Sequence, residues 1–171
     1  AIVLGIIALD RSGLLPSKPT GTTRSQRDNL TEVQRRQLAP ADMERYDGKR
    51  FRVTYVVDGD TLDIACADGL DDTTRIRFWG VDTPETVKQD TPVQHYGPEA
   101  SALTKKLTLG KTVTLELVDL DTRDRHGRLL AYILLPDGRM LNRVLIETGH
   151  GYADPRYSHP HQREFLDAMT A

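Results

Sequence analysis

VVDGDTLDI, residues 56–64, is a hairpin written out in sequence. β-Branched and aromatic residues fill 52–57 and predict a strand. Asp58-Gly59-Asp60 predicts the turn. Residues 61–66 alternate, with Leu62, Ile64 and Cys66 on one side, and predict the returning strand. After a polar turn over 67–74, residues 75–81 predict a third strand. In it Ile76 and Phe78 share one face, Arg77 and Trp79 share the other, and Pro84 marks the stop. Gly97-Pro98 then opens a helix whose apolar stripe is Ala100, Leu103 and Leu107, with Gly110 at its end. Residues 112–118 and 129–135 read as two more strands, the second turning at Asp137-Gly138. A short helix over 141–148 puts Leu141, Val144 and Leu145 on one face. A last, short helix from Pro160 carries Phe165, Leu166 and Met169. This order predicts an α+β domain, mainly β, and a small closed barrel is the arrangement that leaves no strand edge.

Upstream, nine residues, Ala1 to Leu9, are apolar before Asp10 and Arg11. A spanning helix needs about 20. The stretch is expected to be the remnant of a signal anchor or signal peptide, with an anchor favoured because no A-x-A pattern follows closely. The alternative is a short buried segment. Residues 12–28 are rich in Pro, Gly, Ser and Thr and read as a linker. Residues 29–38 predict one or two helical turns. Thr31 and Gln34 have capping-box spacing, Leu30 and Val33 share a face, and Pro40 is the expected end. The expected division is therefore 1–45, apolar start plus linker and short helix, and 46–171, the barrel.

Composition narrows the function. The 23 basic and 25 acidic residues leave a net charge of −2, which excludes a wholly basic nucleic-acid coat. A lone cysteine excludes an internal disulfide and a cysteine-rich zinc site. The charge is uneven: residues 11–52 carry +5, 53–91 carry −6, and 122–143 carry +3. An acidic segment followed by an Arg-rich one suggests a metal beside a phosphate clamp.

Three clusters carry that chemistry: Asp58-Gly59-Asp60-Thr61; Arg77 with the 81–86 stretch VDTPET; and Asp124-Arg125-His126-Gly127-Arg128. Asp60 and Asp82 sit at different strand ends, where a barrel rim brings distant residues together. Carboxylates without Cys or His spacing favour calcium or magnesium over zinc. Arg77 and Arg128 suit a phosphate, because planar guanidinium matches two of its oxygens. Glu85 is close enough in sequence to Asp82 to handle a water. Singly, each part has an ordinary explanation as a hairpin turn, a strand end or a solvated arginine. Together they are what phosphodiester hydrolysis needs.

The segments VVDGDTLDI, RIRFWGVDTPET (75–86), YGPEAS (96–101), DRHGRLLAYI (124–133) and ETGHGYA (147–153) resemble, in order and spacing, the thermonuclease or staphylococcal nuclease-like family. The resemblance covers about residues 52–157. It implies a five-stranded OB-fold Greek-key barrel with about three helices and a calcium-dependent nuclease, magnesium being the lesser candidate. It places metal ligands at Asp60, Asp82 and the Thr83 carbonyl. It places the water-activating or water-orienting carboxylate at Glu85, the phosphate-binding arginines at Arg77 and Arg128, and an outer carboxylate at Asp58. Such enzymes cut DNA and RNA with little sequence preference and leave 3′-phosphates. An OB groove stacks bases, so single strands are the expected substrate, with Tyr152 or Tyr157 as stacking partner. ADPRYSHPH, residues 153–161, departs from the family's aromatic spacing. Tyr96 reads as a packed loop residue, and His150, His159 and His161 as loop and helix-start residues rather than ligands. A monomer, secreted or membrane-anchored outside the cytoplasm and tethered through its N-terminus, completes the expectation. The competing classes are a non-catalytic OB module that holds single-stranded nucleic acid, and a tethered barrel that serves only protein contacts.

Overall fold

The computed structural model describes residues 29–68, 71–84 and 97–170. Its centre is a closed barrel in the order β1-β2-β3-β6-β5. These are Arg50–Asp58 (β1), Thr61–Ile64 (β2), Thr74–Phe78 (β3), Thr112–Glu116 (β5) and Leu129–Leu134 (β6). β3 and β6 run parallel, and β1 closes the barrel on β5. Leu62, Ile64, Ile76, Phe78 and Leu115 are fully buried inside, as the alternation predicts, and Leu129 and Ile133 are buried with them. This is the five-stranded α+β barrel of the OB type.

The third strand is shorter than its apolar run. It stops at Phe78, and Val81–Asp82 forms a separate β4 paired with Tyr152–Ala153, β7. The break lies at Gly80, whose φ of +71° suits a residue without Cβ. Asn142 locks the break from behind, donating to the Trp79 carbonyl at 2.9 Å and accepting from the Ile133 amide at 2.9 Å. Trp79 is consequently buried at the bend.

Among the described residues four helices surround the barrel: Glu32–Tyr46 (α1), Gly97–Thr108 (α2), Leu141–Glu147 (α3) and Gln162–Thr170 (α4). α1 is the short helix expected over 29–38, and it runs longer than expected. Its Thr31–Gln34 capping box forms as predicted, but Pro40 lies inside the helix rather than ending it. The continuation is held by tertiary contacts. Asp42 and Arg123 are both buried and bonded twice, at 2.7 and 2.8 Å. Tyr46 is sealed in the core, with its hydroxyl 3.1 Å from that of Thr74. The inward stripe is therefore Ala39, Asp42 and Tyr46, and Val33 is 66% exposed.

The α2 stripe also differs from expectation. Ala100 is buried, but its buried neighbours are Ser101, Thr104 and Thr108, while Leu103 and Leu107 are only partly covered. The hydroxyls are satisfied: Thr104 donates to the Gly59 carbonyl at 2.6 Å and Thr108 to the Thr104 carbonyl at 2.7 Å. Small residues let α2 press on the Asp58–Asp60 turn. A Cβ on Gly59 would stand 2.8 Å from that of Ala100 and 2.7 Å from the Thr83 hydroxyl. In α4, Phe165 is fully buried while Leu166 and Met169 are exposed. Among the described residues no helix is long and apolar enough to cross a membrane.

Candidate active site at the barrel rim

The β1–β2 turn, the end of β3 and the short β4 meet at one end of the barrel. Asp60 is 1% exposed. One of its carboxylate oxygens accepts from the Thr83 amide at 2.8 Å and hydroxyl at 3.0 Å. The other accepts from the Thr61 hydroxyl at 3.0 Å and from Arg77. The Arg77 guanidinium bridges to Asp82 at 2.5 Å and reaches the Val81 carbonyl at 3.3 Å. Asp58 accepts from the Asp60 amide at 3.2 Å. Thus Asp58, Asp60, Arg77, Asp82 and Thr83, distant in sequence, form one cluster.

The cluster is short of positive charge. Burial raises the Asp60 carboxyl, Arg77 opposes this and Asp58 adds to it, which leaves the group pushed up to about 6. Burial also opposes the charge on Arg77, and Asp60 and Asp82 more than offset that. Asp58, Asp60, Asp82 and the adjoining Asp154 are answered at close range by two guanidiniums, those of Arg77 and Arg156, so a further cation would be stabilised here. The donors are carboxylate and carbonyl oxygens, which suits a hard divalent ion. Among the described residues no group of three or more His, Cys, Asp or Glu side chains forms a ready-made metal cage. A cation here would therefore complete its shell with carbonyl, water or substrate oxygens.

Arg128 comes from the loop before β6. That loop is tied by Asp124, which accepts from the His126 amide at 2.9 Å and the Arg128 amide at 3.0 Å. Asp124 also accepts from Arg128 Nε at 2.6 Å. This contact fixes the plane of the guanidinium and leaves its terminal nitrogens without a protein partner among the described residues. Arg77 and Arg128 line the same groove, of about 610 Å³. Glu85 and Tyr96 lie outside the described residues.

Of the two tyrosines, Tyr157 lines this groove, 55% exposed, with its ring 5.9 Å from that of Trp79. Tyr152, 60% exposed, pairs through its backbone with Asp82 and is not among the groove residues. His159 is buried, with Nδ1 2.7 Å from the Tyr132 hydroxyl. His161 packs edge-on against Tyr132, and His150 lies beside Thr148.

The structure adds residues that the motifs did not single out. Arg156 donates to Asp82 at 3.2 Å and to Asp154 at 2.7 and 2.8 Å. Burial works against the Asp154 charge, and the bonds from Arg156 outweigh it, holding the carboxyl below its ordinary range. Arg35, Arg125 and Trp79 also line the groove. Arg125 was legible as part of the Arg-rich run. Arg156 is a single cation and Arg35 is one of an adjacent pair with Arg36; neither carries a local pattern that points to the groove.

An OB-type barrel whose rim combines paired carboxylates, a bridging arginine and an arginine-lined groove has a charge pattern suited to an anion beside a cation. Comparison with known proteins sharpens this. The family model for staphylococcal nuclease homologues matches residues 75–171, and the chain belongs to that family. It is 48% identical over 102 residues to a thermonuclease of Staphylococcus intermedius, covering 60% of this chain and 58% of that protein. It is 43% identical over 109 residues to a thermonuclease of Staphylococcus hyicus, covering 64% and 62%. Endonuclease YncB of Bacillus subtilis is 37% identical over 129 residues, covering 74% and 57%. The chain spans about three fifths of the length of these curated relatives.

Proposed function

We propose that this protein is a calcium-dependent nuclease that hydrolyses phosphodiester bonds of DNA and RNA with little sequence preference, leaving 3′-phosphates. The observation that carries the reading is the convergence of Asp60, Asp82 and Arg77 on one rim cluster, with Arg128 on the same groove. The names of the relatives, thermonuclease and endonuclease, support it.

Asp60, Asp82 and the Thr83 carbonyl would hold the calcium ion, with Asp58 shaping the field around Asp60. When bound, the ion supplies Lewis-acid charge at a non-bridging phosphate oxygen. Arg77 and Arg128 grip the phosphate oxygens, and this grip strengthens as charge gathers on them. The Asp124 contact holds the Arg128 plane before substrate arrives, so little reorganisation remains. Glu85 takes the role of accepting a proton from the attacking water or aiming it. Tyr157, exposed beside Trp79, offers a stacking face for a base of a single strand. Tyr152 is the second stacking candidate. The apolar opening Ala1–Leu9 favours a secreted or membrane-anchored setting outside the cytoplasm, and we take the protein to be a monomer.

The test is digestion of heat-denatured DNA and of RNA in calcium, in magnesium and with chelator, followed by analysis of the product ends. Chelator-sensitive cutting in calcium with 3′-phosphate ends supports the reading. Retarded but intact DNA would make the protein a binding module instead.

A further inference from the structure

Five arginines line the groove: Arg35, Arg77, Arg125, Arg128 and Arg156. Three are engaged by carboxylates: Arg77 by Asp60 and Asp82, Arg128 by Asp124, and Arg156 by Asp154 and Asp82. The Arg125 side chain bonds only the neighbouring His126 ring, at 3.0 Å, among the described residues. Arg35 has no carboxylate partner among them either. Its guanidinium makes one hydrogen bond among the described residues, to the Arg123 carbonyl at 3.5 Å, and its Nε is buried without a partner. A cation facing a groove with its own charge unanswered is where an external anion gains most.

Arg35 is also held in place. Immediately before α1, the Leu30 amide donates to the Arg125 carbonyl at 2.9 Å. Two turns beyond Arg35, Asp42 grips the buried Arg123, which in turn donates to the Gly127 carbonyl at 3.0 Å. Arg35, Ala39, Asp42 and Tyr46 follow one helical stripe, the last three buried against the barrel. The helix thus lies along the loop that carries Arg125 and Arg128, with Arg35 at the groove. It also precedes the region matched by the family model, residues 75–171.

We propose that α1 forms a wall of the nucleic-acid groove and that Arg35 binds a backbone phosphate of the strand, flanking the phosphate held by Arg77 and Arg128. This rests on the nucleic-acid reading of the groove but not on cleavage. Arg35 extends the grip along the polymer and carries no base preference, because a guanidinium–phosphate contact reads backbone only.

The experiment is a salt titration of binding. A labelled single-stranded DNA of about 15 nucleotides is followed by fluorescence anisotropy in chelator, with intactness checked on a gel, over about 50 to 200 mM salt. Wild type is compared with Arg35→Gln, Arg35→Lys and the control Arg36→Gln. Arg36 is paired with Glu32 at 2.7 Å on the exposed side of the helix. Arg35→Gln is expected to weaken binding about three- to fivefold at low salt. It should also flatten the log K against log salt slope by about 0.7, the value for one single-strand phosphate contact. Arg35→Lys should keep most of the slope, and Arg36→Gln should match wild type. Thermal melts check folding, and Arg35→Met serves as the neutral arm if Arg35→Gln is unstable. A slope for the neutral variant equal to that of wild type overturns the proposal, as does wild type that binds no single strand. If the slope flattens but wild type never cuts DNA, the nuclease reading falls and the phosphate contact stands. If wild type cuts and the slope does not move, the reverse holds.

Discussion

Asp42→Ala offers the sharpest test of how α1 is attached. Asp42 and Arg123 are each 6% exposed at the side chain, and Asp68, the third member, is 13% exposed. Asp42 accepts from Arg123 at 2.7 and 2.8 Å and from the Thr122 hydroxyl at 2.9 Å. Truncation removes two charge-assisted bonds, worth about 1.5–3 kcal/mol each, and strands a hydroxyl. Breaking a buried pair by removing one partner costs about 3–5 kcal/mol. The low end applies, because Arg123 keeps Asp68 at 2.9 and 3.1 Å and the Gly127 carbonyl. We therefore expect a loss of about 3 kcal/mol, which for a domain of this size lowers Tm by roughly 10 °C. Urea denaturation of wild type, Asp42→Ala, Arg123→Ala and the double variant measures it. The double variant should lose less than the sum of the singles, because each single already forfeits both Asp42–Arg123 bonds and the double forfeits them only once. A loss below about 0.5 kcal/mol for Asp42→Ala, or strict additivity, would refute the reasoning. In that case α1 would be held by the burial of Ala39 and Tyr46 and by backbone bonds such as that from Leu30 to Arg125.

Arg128→Ala should lower kcat/KM on DNA by about two orders of magnitude, since a charged donor to the developing oxyanion contributes about 3 kcal/mol. Its Tm should hardly move, because among the described residues Arg128 pairs only with the nearby Asp124; unchanged turnover would remove it from the clamp. Gly80→Ala should destabilise by about 2–4 kcal/mol in a urea melt. It forces a side chain onto φ +71°, and the new Cβ meets the His159 ring at 2.4 Å. The pH dependence of stability should show His159. Burial, then the nearby His161, holds its imidazole below the ordinary value, against a smaller pull from Asp154. The unfolded chain therefore takes the proton first, so this contribution is present above about pH 6.5 and is lost as pH falls below it. Asp60 acts oppositely, its folded carboxyl keeping a proton up to about 6, so the test is the difference between wild type and His159→Gln in chelator. Equal acid slopes for the two proteins would exclude His159.

The barrel was legible because its strands are β-branched and alternate, and because Asp58-Gly59-Asp60 and Asp137-Gly138 are strong turn signals. The helices were harder for a physical reason. The inward face of α1 is Ala39, Asp42 and Tyr46, which shows no apolar period because a buried ion group replaces apolar packing. The inward face of α2 is threonine and serine, whose hydroxyls find backbone carbonyls that a sequence cannot display. The break after Phe78 depends on Gly80 and on Asn142, 62 residues away, so a continuous apolar run concealed it. The same division holds at the site. Asp60, Arg77, Asp82 and Arg128 lie in motifs dense with turn residues and carboxylates. Arg156 and Arg35 reach the groove only through tertiary placement.

The charge balance of the rim has a consequence for how ligands enter under the proposed reading. Asp58, Asp60 and Asp82 are countered at close range by Arg77, while Arg156 is shared with Asp154 and Arg128 with Asp124. Taken with these partners the cluster is net negative, so a lone phosphate meets carboxylates already occupying the arginines it needs. A divalent cation on Asp60 and Asp82 would weaken their hold on Arg77 and Arg156, freeing guanidinium N–H groups for phosphate. The phosphate in turn offsets the added positive charge. Binding of each then favours the other, and by linkage the coupling is the same in both directions. Arg35 and Arg125 stand outside this exchange because no carboxylate competes for them among the described residues. They are the arginines able to hold a strand before the cation arrives, which makes the flanking grip and the cutting site separable steps of one encounter.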